Sequence, residues 1–382
     1  MATTRQQDRA GAGAERAGLG GRPRLVHVTT TDISLALLLG PQLEAFAAAG
    51  YDVITASAPG PFVERLRAAG IDHIPLRHAT RAMAPQRDLA ALAELTALFR
   101  RLRPDIVHTH NPKPGIYGRL AARAAGVPVV VNTVHGLYAT PDDSWRRRAA
   151  VYGLERLAAT CSGAELVQNP EDVATLRRLR VPADRLTLLG NGVDLSRFHP
   201  DDSDRAALRE ELGYGTGDVV VGVVGRLVWE KGYREVFEAA AALRQRRPEV
   251  RFVVAGPADH SKADAVDADE MRRAEAAGGV RFLGHRDDVE RLYRAMDLYV
   301  LASYREGFPR SAMEAAASGL PVVATDIRGC RQVVDDGVTG RLVPPRDAAA
   351  LAAAVETLAA DPRAKIVKQT ADAVFEVTGR NP

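Results

Sequence analysis

Short apolar runs alternate with Ala- and Leu-rich helical runs along this chain, and the alternation occurs twice. In the first series the strand-like runs are 25–29, 53–56, 71–76, 106–109, 127–131 and 166–168. Helical patterns fill the gaps at 34–49, 61–69, 88–102, 114–125 and 145–160. The turn signal Asn191-Gly192-Val193-Asp194 interrupts the pattern. A helical run at 203–212 follows, and a second series of strands restarts at 219–224, 252–255, 280–283, 298–302, 322–325 and 342–343. Strands separated by helices demand parallel sheets with helices on both faces. The runs are continuously apolar rather than alternating, as strands covered on both faces must be. The expected fold class is therefore α/β: two doubly wound, Rossmann-like domains, 22–195 and 196–360, facing across a cleft. Ligands of such sheets bind beyond the carboxyl ends of the strands.

Composition narrows the function classes. The 382 residues leave ample core for two domains. A net charge of +3, without interleaved aromatic and basic residues, gives no nucleic-acid surface. The two cysteines, Cys161 and Cys330, stand far apart and match no metal spacing. They point to a reducing compartment rather than a disulfide framework. No apolar run is long enough to span a membrane. Residues 1–21 lack an apolar segment and read as a disordered tail, not a signal peptide. The stretch 361–382 reads as a C-terminal segment that could cross back to the first domain.

The chemistry concentrates at strand ends. Tyr304-Arg305-Glu306-Gly307-Phe308-Pro309-Arg310-Ser311-Ala312-Met313-Glu314 follows the strand 298–302. Pro309 can open a helix, since its missing N–H has no helical partner in the first turn. Gly319 can end that helix, and Pro321 prevents its continuation. The N–H groups of Gly307, Phe308 and Arg310 would then border a helix N-terminus suited to an anion. Glu306 and Glu314 flank it with seven residues between them. They are either functional carboxylates or solvated members of a structural turn.

In the same domain the strand 219–224 runs into Gly225-Arg226-Leu227, with Lys231-Gly232 opening the next helix. Two cations beside a helix N-terminus can neutralise a diphosphate; the bland alternative pairs Arg226 and Lys231 with neighbours such as Glu230. Gly284-His285-Arg286-Asp287-Asp288 follows another strand, with Asp287 as the expected helix cap. Asp267-Ala268-Asp269 lies in a polar segment opening a helix, a poor place for a metal site.

In the first domain, hydroxyls of Thr29-Thr30-Thr31-Asp32-Ile33-Ser34 either cap the helix starting near Ser34 or act as phosphate donors. His108 and His110, two apart on a strand, share a face. With no third ligand apparent nearby, a metal is not expected there. Lys113 either holds an acceptor phosphate near a helix N-terminus or is a surface lysine. Trp145-Arg146-Arg147-Arg148 opens a helix and reads as a solvated face or as a contact with an anionic membrane surface.

Glu306-Gly307-Phe308-Pro309, Glu314-Ala315, Gly319 and Pro321, with Arg226 and Lys231, resemble the motifs of the retaining nucleotide-sugar glycosyltransferases of family four, which have the GT-B architecture. Gly329-Cys330-Arg331, Asp336-Gly337, Thr339-Gly340 and Val343-Pro344-Pro345 extend the likeness over roughly 24–360. The resemblance implies transfer of a hexose or N-acetylhexosamine from a nucleotide sugar, UDP-linked, with retention of configuration. It implies a glycan, lipid-linked or small-molecule acceptor, as in bacterial polysaccharide biosynthesis. The protein would then be cytoplasmic, with peripheral contact at the inner face of the membrane.

The resemblance also assigns roles. Arg226 and Lys231 would grip the diphosphate together with the backbone at Gly307, Phe308 and Arg310. Glu314 would take the ribose hydroxyls and Glu306 a sugar hydroxyl. His135, after the strand 127–131, would reach the donor sugar. The loop carrying Arg286 would contact the base. No cofactor or metal is implied. The missing glycine pair after the first strand departs from the family pattern. An epimerase or hydrolase of the same architecture, or a silent nucleotide-sugar-binding protein, are the competing readings. No strand runs into the glycine fingerprint of a dehydrogenase.

Overall fold

The computed structural model describes residues 21–80, 84–110, 112–139, 143–258 and 264–360. The tail 1–20 and the stretch 361–382 lie outside the described residues. The chain divides into two compact units, the first ending at Leu189 and the second beginning at Gly190. Each is built on one parallel sheet, so the two Rossmann-like domains expected from the alternation are present.

The first unit carries β1 (Arg24–Thr31), β2 (Asp52–Ala58), β3 (Asp72–Pro75), β4 (Ile106–His110), β5 (Val129–Val134), β6 (Ala164–Val167) and β7 (Leu186–Leu188). Their order in the sheet is β3-β2-β1-β4-β5-β6-β7. β7 had no sequence signal. It is three residues long, and two of them are exposed, so it lacks the apolar run that marks the inner strands. Central β1 buries Leu25 to Thr30 without a break, as a doubly covered strand should.

The second unit carries β8 (Val219–Val224), β9 (Val250–Ala255), β10 (Val280–Phe282), β11 (Leu298–Leu301), β12 (Val322–Thr325) and β13 (Gly340–Val343), in the order β10-β9-β8-β11-β12-β13. Two apolar layers sandwich this sheet. One gathers Tyr293, Met296, Tyr299 and Leu320; the other gathers Phe252, Val236, Leu243 and Val355. Both sheets share the order 3-2-1-4-5-6, in which the strand order reverses beside the first strand. That reversal is the switch point where doubly wound sheets bind ligands. It lies between β1 and β4 in the first unit and between β8 and β11 in the second.

Two local expectations are corrected. The segment after β1 is a π-helical turn, Ser34–Leu38, followed by the helix Gly40–Ala48. No side chain caps either start. Thr29 instead donates to the Thr31 carbonyl at 2.9 Å, and Asp32 accepts from the Phe62 N–H at 2.7 Å. The helix Val289–Ala295 is preceded by Asp288, not Asp287, and Asp288 makes no capping bond. Its carboxylate is already engaged by arginines.

Candidate functional site

The loop after β11 is laid down as its residues require. Pro309 precedes the helix Arg310–Ala317 as its N-cap. At the other end Gly319 takes φ +82°, a conformation that costs a glycine least. Leu320 donates to the Ala315 carbonyl and Gly319 to the Ala316 carbonyl, the paired bonds that stop a helix. Asn191 holds the loop from outside by donating to the Phe308 carbonyl at 3.1 Å.

Across the switch point, β8 ends at Val224 and Gly225. The buried hydroxyls of Tyr299 and Tyr233 donate to the Val224 and Gly225 carbonyls, at 3.1 and 2.9 Å. This fixes the backbone that carries half-buried Arg226. Lys231 closes a 3-10 turn and Gly232, at φ +74°, opens the helix Tyr233–Arg246. A side chain at Gly232 would run into the Ala302 carbonyl, so glycine lets this helix start against the end of β11.

These two segments, 75 residues apart in sequence, meet side chain to side chain. Lys231 Nζ lies 2.5 Å from Glu306 Oε1, and Ser303 donates to the same oxygen at 2.7 Å. Lys231 therefore pairs with the motif carboxylate. The Gly329 backbone packs on Glu306 so closely that a Cβ there would stand 2.7 Å from the Glu306 carbonyl oxygen. Adjacent Cys330 is fully buried, and burial raises its thiol pKa, with the Glu306 charge adding to the effect. It is inert.

Glu314 sits on the buried side of its helix. Tyr293 donates to its Oε2 at 3.3 Å, and Arg310 lies one turn away, 3.6 Å from Oε1. Burial raises the Glu314 pKa, and the Arg310 charge opposes that rise. The structure thus brings Lys231, Glu306 and Ser303 together, and Glu314 with Arg310 and Tyr293. Arg286 forms a fork with Asp288, at 2.7 and 2.6 Å. Asp267 caps the helix Ala268–Ala276 by accepting from the Glu270 N–H at 2.8 Å.

In the first unit, His135 follows β5 and its Nε2 lies 3.1 Å from His110 Nδ1. His110 Nε2 in turn lies 3.0 Å from His27 Nδ1. His27, on β1, is paired in register with His108 on β4. The absence of a third histidine, inferred from spacing in β4, is thus corrected. His27, His108 and His110 each place one ring nitrogen within 4.8 Å of the others. Burial lowers the pKa of all four rings, His27 to about 3 and His135 to about 4. Lys113 is paired with Asp88 at 2.5 Å.

Sequence reasoning missed Ser303, Tyr293, Asn191 and His27. Ser303 could have been found, since it stands at a strand end just before the motif. The other three come from segments that no spacing rule connects to their partners.

A sequence model of Glycosyltransferase Family 4 matches residues 42–197, and one of Glycosyl transferases group 1 matches 218–361. The UDP-Gal:alpha-D-GlcNAc-diphosphoundecaprenol alpha-1,3-galactosyltransferase of Escherichia coli is 33% identical over 267 residues, covering 68% of each chain. The D-inositol 3-phosphate glycosyltransferase of Salinispora arenicola is 36% identical over 278 residues, covering 67% of this chain and 61% of its own. Among solved structures, HepE of Anabaena in complex with UDP and glucose superposes with a TM-score of 0.74 at 21% identity, over 94% of this chain and 98% of its own. The fold is thus that of the GT-B glycosyltransferases. The chain belongs to glycosyltransferase family 4, and it is a glycosyltransferase.

Proposed function

We propose that this enzyme transfers a hexose or N-acetylhexosamine from a UDP-sugar to a lipid-linked, glycan or small-molecule acceptor, with retention of configuration. The observation that carries the donor site is the Lys231–Glu306–Ser303 cluster at the switch point of the second sheet. A nucleoside diphosphate leaving group gathers negative charge as it departs, and fixed charges stabilise that build-up. Lys231, Arg226 and the N–H groups of Gly307, Phe308 and Arg310 supply them. Lys231 then exchanges part of its contact with Glu306 for phosphate. Glu306, still held by Ser303, turns to a sugar hydroxyl, and Glu314 accepts from the ribose.

The bond from the anomeric carbon to the phosphate oxygen breaks, and its electron pair leaves with UDP. The acceptor oxygen bonds the same face, and its proton passes to the departing phosphate. No protein nucleophile takes part, so the glutamates are not a hydrolase pair. The two cations neutralise the diphosphate, and no metal is called on for that task.

Peripheral contact with the inner face of the membrane belongs to the same reading. The helix Trp145–Ala159 exposes Trp145 at 69%, with Leu154 and Leu157 also exposed, beside Arg146 and Arg147. No helix among the described residues is long and apolar enough to cross a membrane. The E. coli relative, named for a diphosphoundecaprenol-linked acceptor, supports this reading.

The test is thermal stability with UDP, GDP, ADP and TDP, without added metal, for wild type and Glu314→Ala. Nucleotide at a hundredfold its dissociation constant adds about 2.7 kcal/mol. The reading expects a shift with UDP that shrinks in the variant. No shift with any nucleotide would sink it, and turnover abolished by a chelator and restored by magnesium would remove the metal-free mechanism.

A further inference from the structure

The histidines of the first unit form a line whose proton positions follow from one buried atom. We propose that His27 and His110 are positioning residues that hold the proton of His135 on Nδ1, making that ring a neutral hydrogen-bond donor rather than a base. The consequence for catalysis rests on the glycosyltransferase reading above; the proton positions do not.

His27 Nε2 is buried and has no hydrogen-bond partner. A buried N–H without an acceptor is rarer and costlier than a lone pair left without a donor. His27 therefore leaves Nε2 bare and carries its proton on Nδ1. That N–H points at His110 Nε2, 3.0 Å away, which must accept. A neutral ring that accepts at Nε2 carries its own proton on Nδ1. His110 Nδ1 lies 3.1 Å from His135 Nε2, so the assignment passes on. His135 accepts at Nε2 and keeps its proton on Nδ1. His135 also hydrogen-bonds the Gln168 side chain, and an Nδ1–H would be free to serve that partner or a ligand oxygen that takes its place.

Reversing the line would put an N–H on the orphaned nitrogen. Protonating His110 or His135 would set two N–H groups against each other across the 3.0 or the 3.1 Å contact, and protonating His27 would put an N–H on its unpartnered nitrogen. The neighbours hold the line in place. His108 lies tilted against His110 with ring centroids 4.1 Å apart and meets the Thr133 hydroxyl at 2.7 Å. Phe46 lies against His27 at 5.7 Å. A metal bound at His27, His108 and His110 is the competing occupant of this cluster. It would compete for the lone pairs that the two short contacts use.

The experiment is a two-bond proton–nitrogen spectrum of the imidazoles in the full chain, labelled at its 9 histidines, at pH 7 and without substrate. His27, His110 and His135 are expected as Nδ1–H tautomers. In His27→Phe the donor to His110 Nε2 is gone, so His110 and His135 should lose the pure Nδ1–H signature while His108 keeps its own pattern. His135 found as the Nε2–H tautomer in wild type overturns the proposal without any variant. An unchanged His135 in a folded His27→Phe overturns it too. Stoichiometric zinc that shifts the lines of His27, His108 and His110 together replaces it with a metal site. UDP binding is measured separately, so failure of the line and failure of the donor site are told apart.

Discussion

The two sheets have the same strand order around the switch point but opposite chemistry at it. In the first unit β1 and β4 carry His27, His108 and His110, buried, and half-buried His135 follows β5; burial favours the neutral form of all four. In the second the segments after β8 and β11 carry Arg226, Lys231, Glu306 and Glu314, partly buried ionisable groups, of which Lys231 pairs with Glu306 and Glu314 lies beside Arg310. The difference shows that one topology can present two kinds of chemistry. Neutral rings in mutual hydrogen bonds are rigid and keep a fixed direction. Ion-paired side chains such as Lys231 and Glu306 are already compensated, and they can trade partners when a more highly charged ligand arrives.

The largest effect should come from a buried ion cluster of the first unit. Arg119 is fully buried between Glu155 and Glu165, at 2.6 and 2.5 Å, and Asn132 donates to the other Glu165 oxygen at 2.8 Å. Arg119→Met would strand two carboxylates. A loss of about 3–5 kcal/mol is expected, measured by denaturant unfolding. A loss below about 1 kcal/mol would show that this ion cluster does not hold the first unit together.

Next in size is Lys231→Ala. If the charges of the second unit act on the leaving diphosphate, turnover falls about 10²–10³-fold while the choice of donor sugar is unchanged. Steady-state kinetics with the cognate donor would show it, and wild-type turnover in the variant would break the contrast between the units.

Acid should then separate the two units. The four histidine pKa values are depressed below the ordinary value of about 6.5. The unfolded chain therefore takes up protons that the fold refuses. Their stability is fully present above about pH 6.5 and is lost as pH falls toward the folded values, about 3 for His27 and about 4 for His135. Glu314 runs the other way. Its pKa is raised, so its contribution is present below the unfolded value and fades as pH climbs through the folded one. The melting temperature should fall between pH 6.5 and 5, and the slope should shrink in His27→Phe. An identical slope in the variant would remove the histidines from the account.

Glu314→Gln should give a smaller and opposite change. It removes a carboxylate that burial disfavours, so stability at pH 7 should rise by about 1 kcal/mol, typical of single-site gains. Nucleotide binding should weaken at the same time. A variant that is less stable at pH 7 would show Glu314 to be structural. The smallest effect belongs to the exposed helix of the first unit. Trp145→Ala should weaken flotation with anionic vesicles a few-fold, at salt low enough for surface charge to act, and leave nucleotide binding alone.

How far the site could be read in advance varies residue by residue. The placement of Glu306, Glu314, Arg226 and Lys231 at a strand end, a helix and a helix start was legible, because such positions follow local rules. The helix Arg310–Ala317 was bounded by Pro309 and Gly319 for the same reason. β7 stayed hidden because three residues, two of them exposed, carry no period. Asp287 was preferred to Asp288 as a cap because the composition of that loop cannot say which carboxylate an arginine will take.

The sequence by itself determined the two parallel sheets, the restart after residue 190 and the charged motifs, since hydrophobic period and turn chemistry act over a few residues. Only the tertiary structure decided that Lys231 meets Glu306, that Tyr293 meets Glu314, and that His27 completes a line with His110 and His135. Those pairings span 75, 21 and 83 residues. Strand order brings such positions side by side, and no local preference encodes which strand becomes a neighbour.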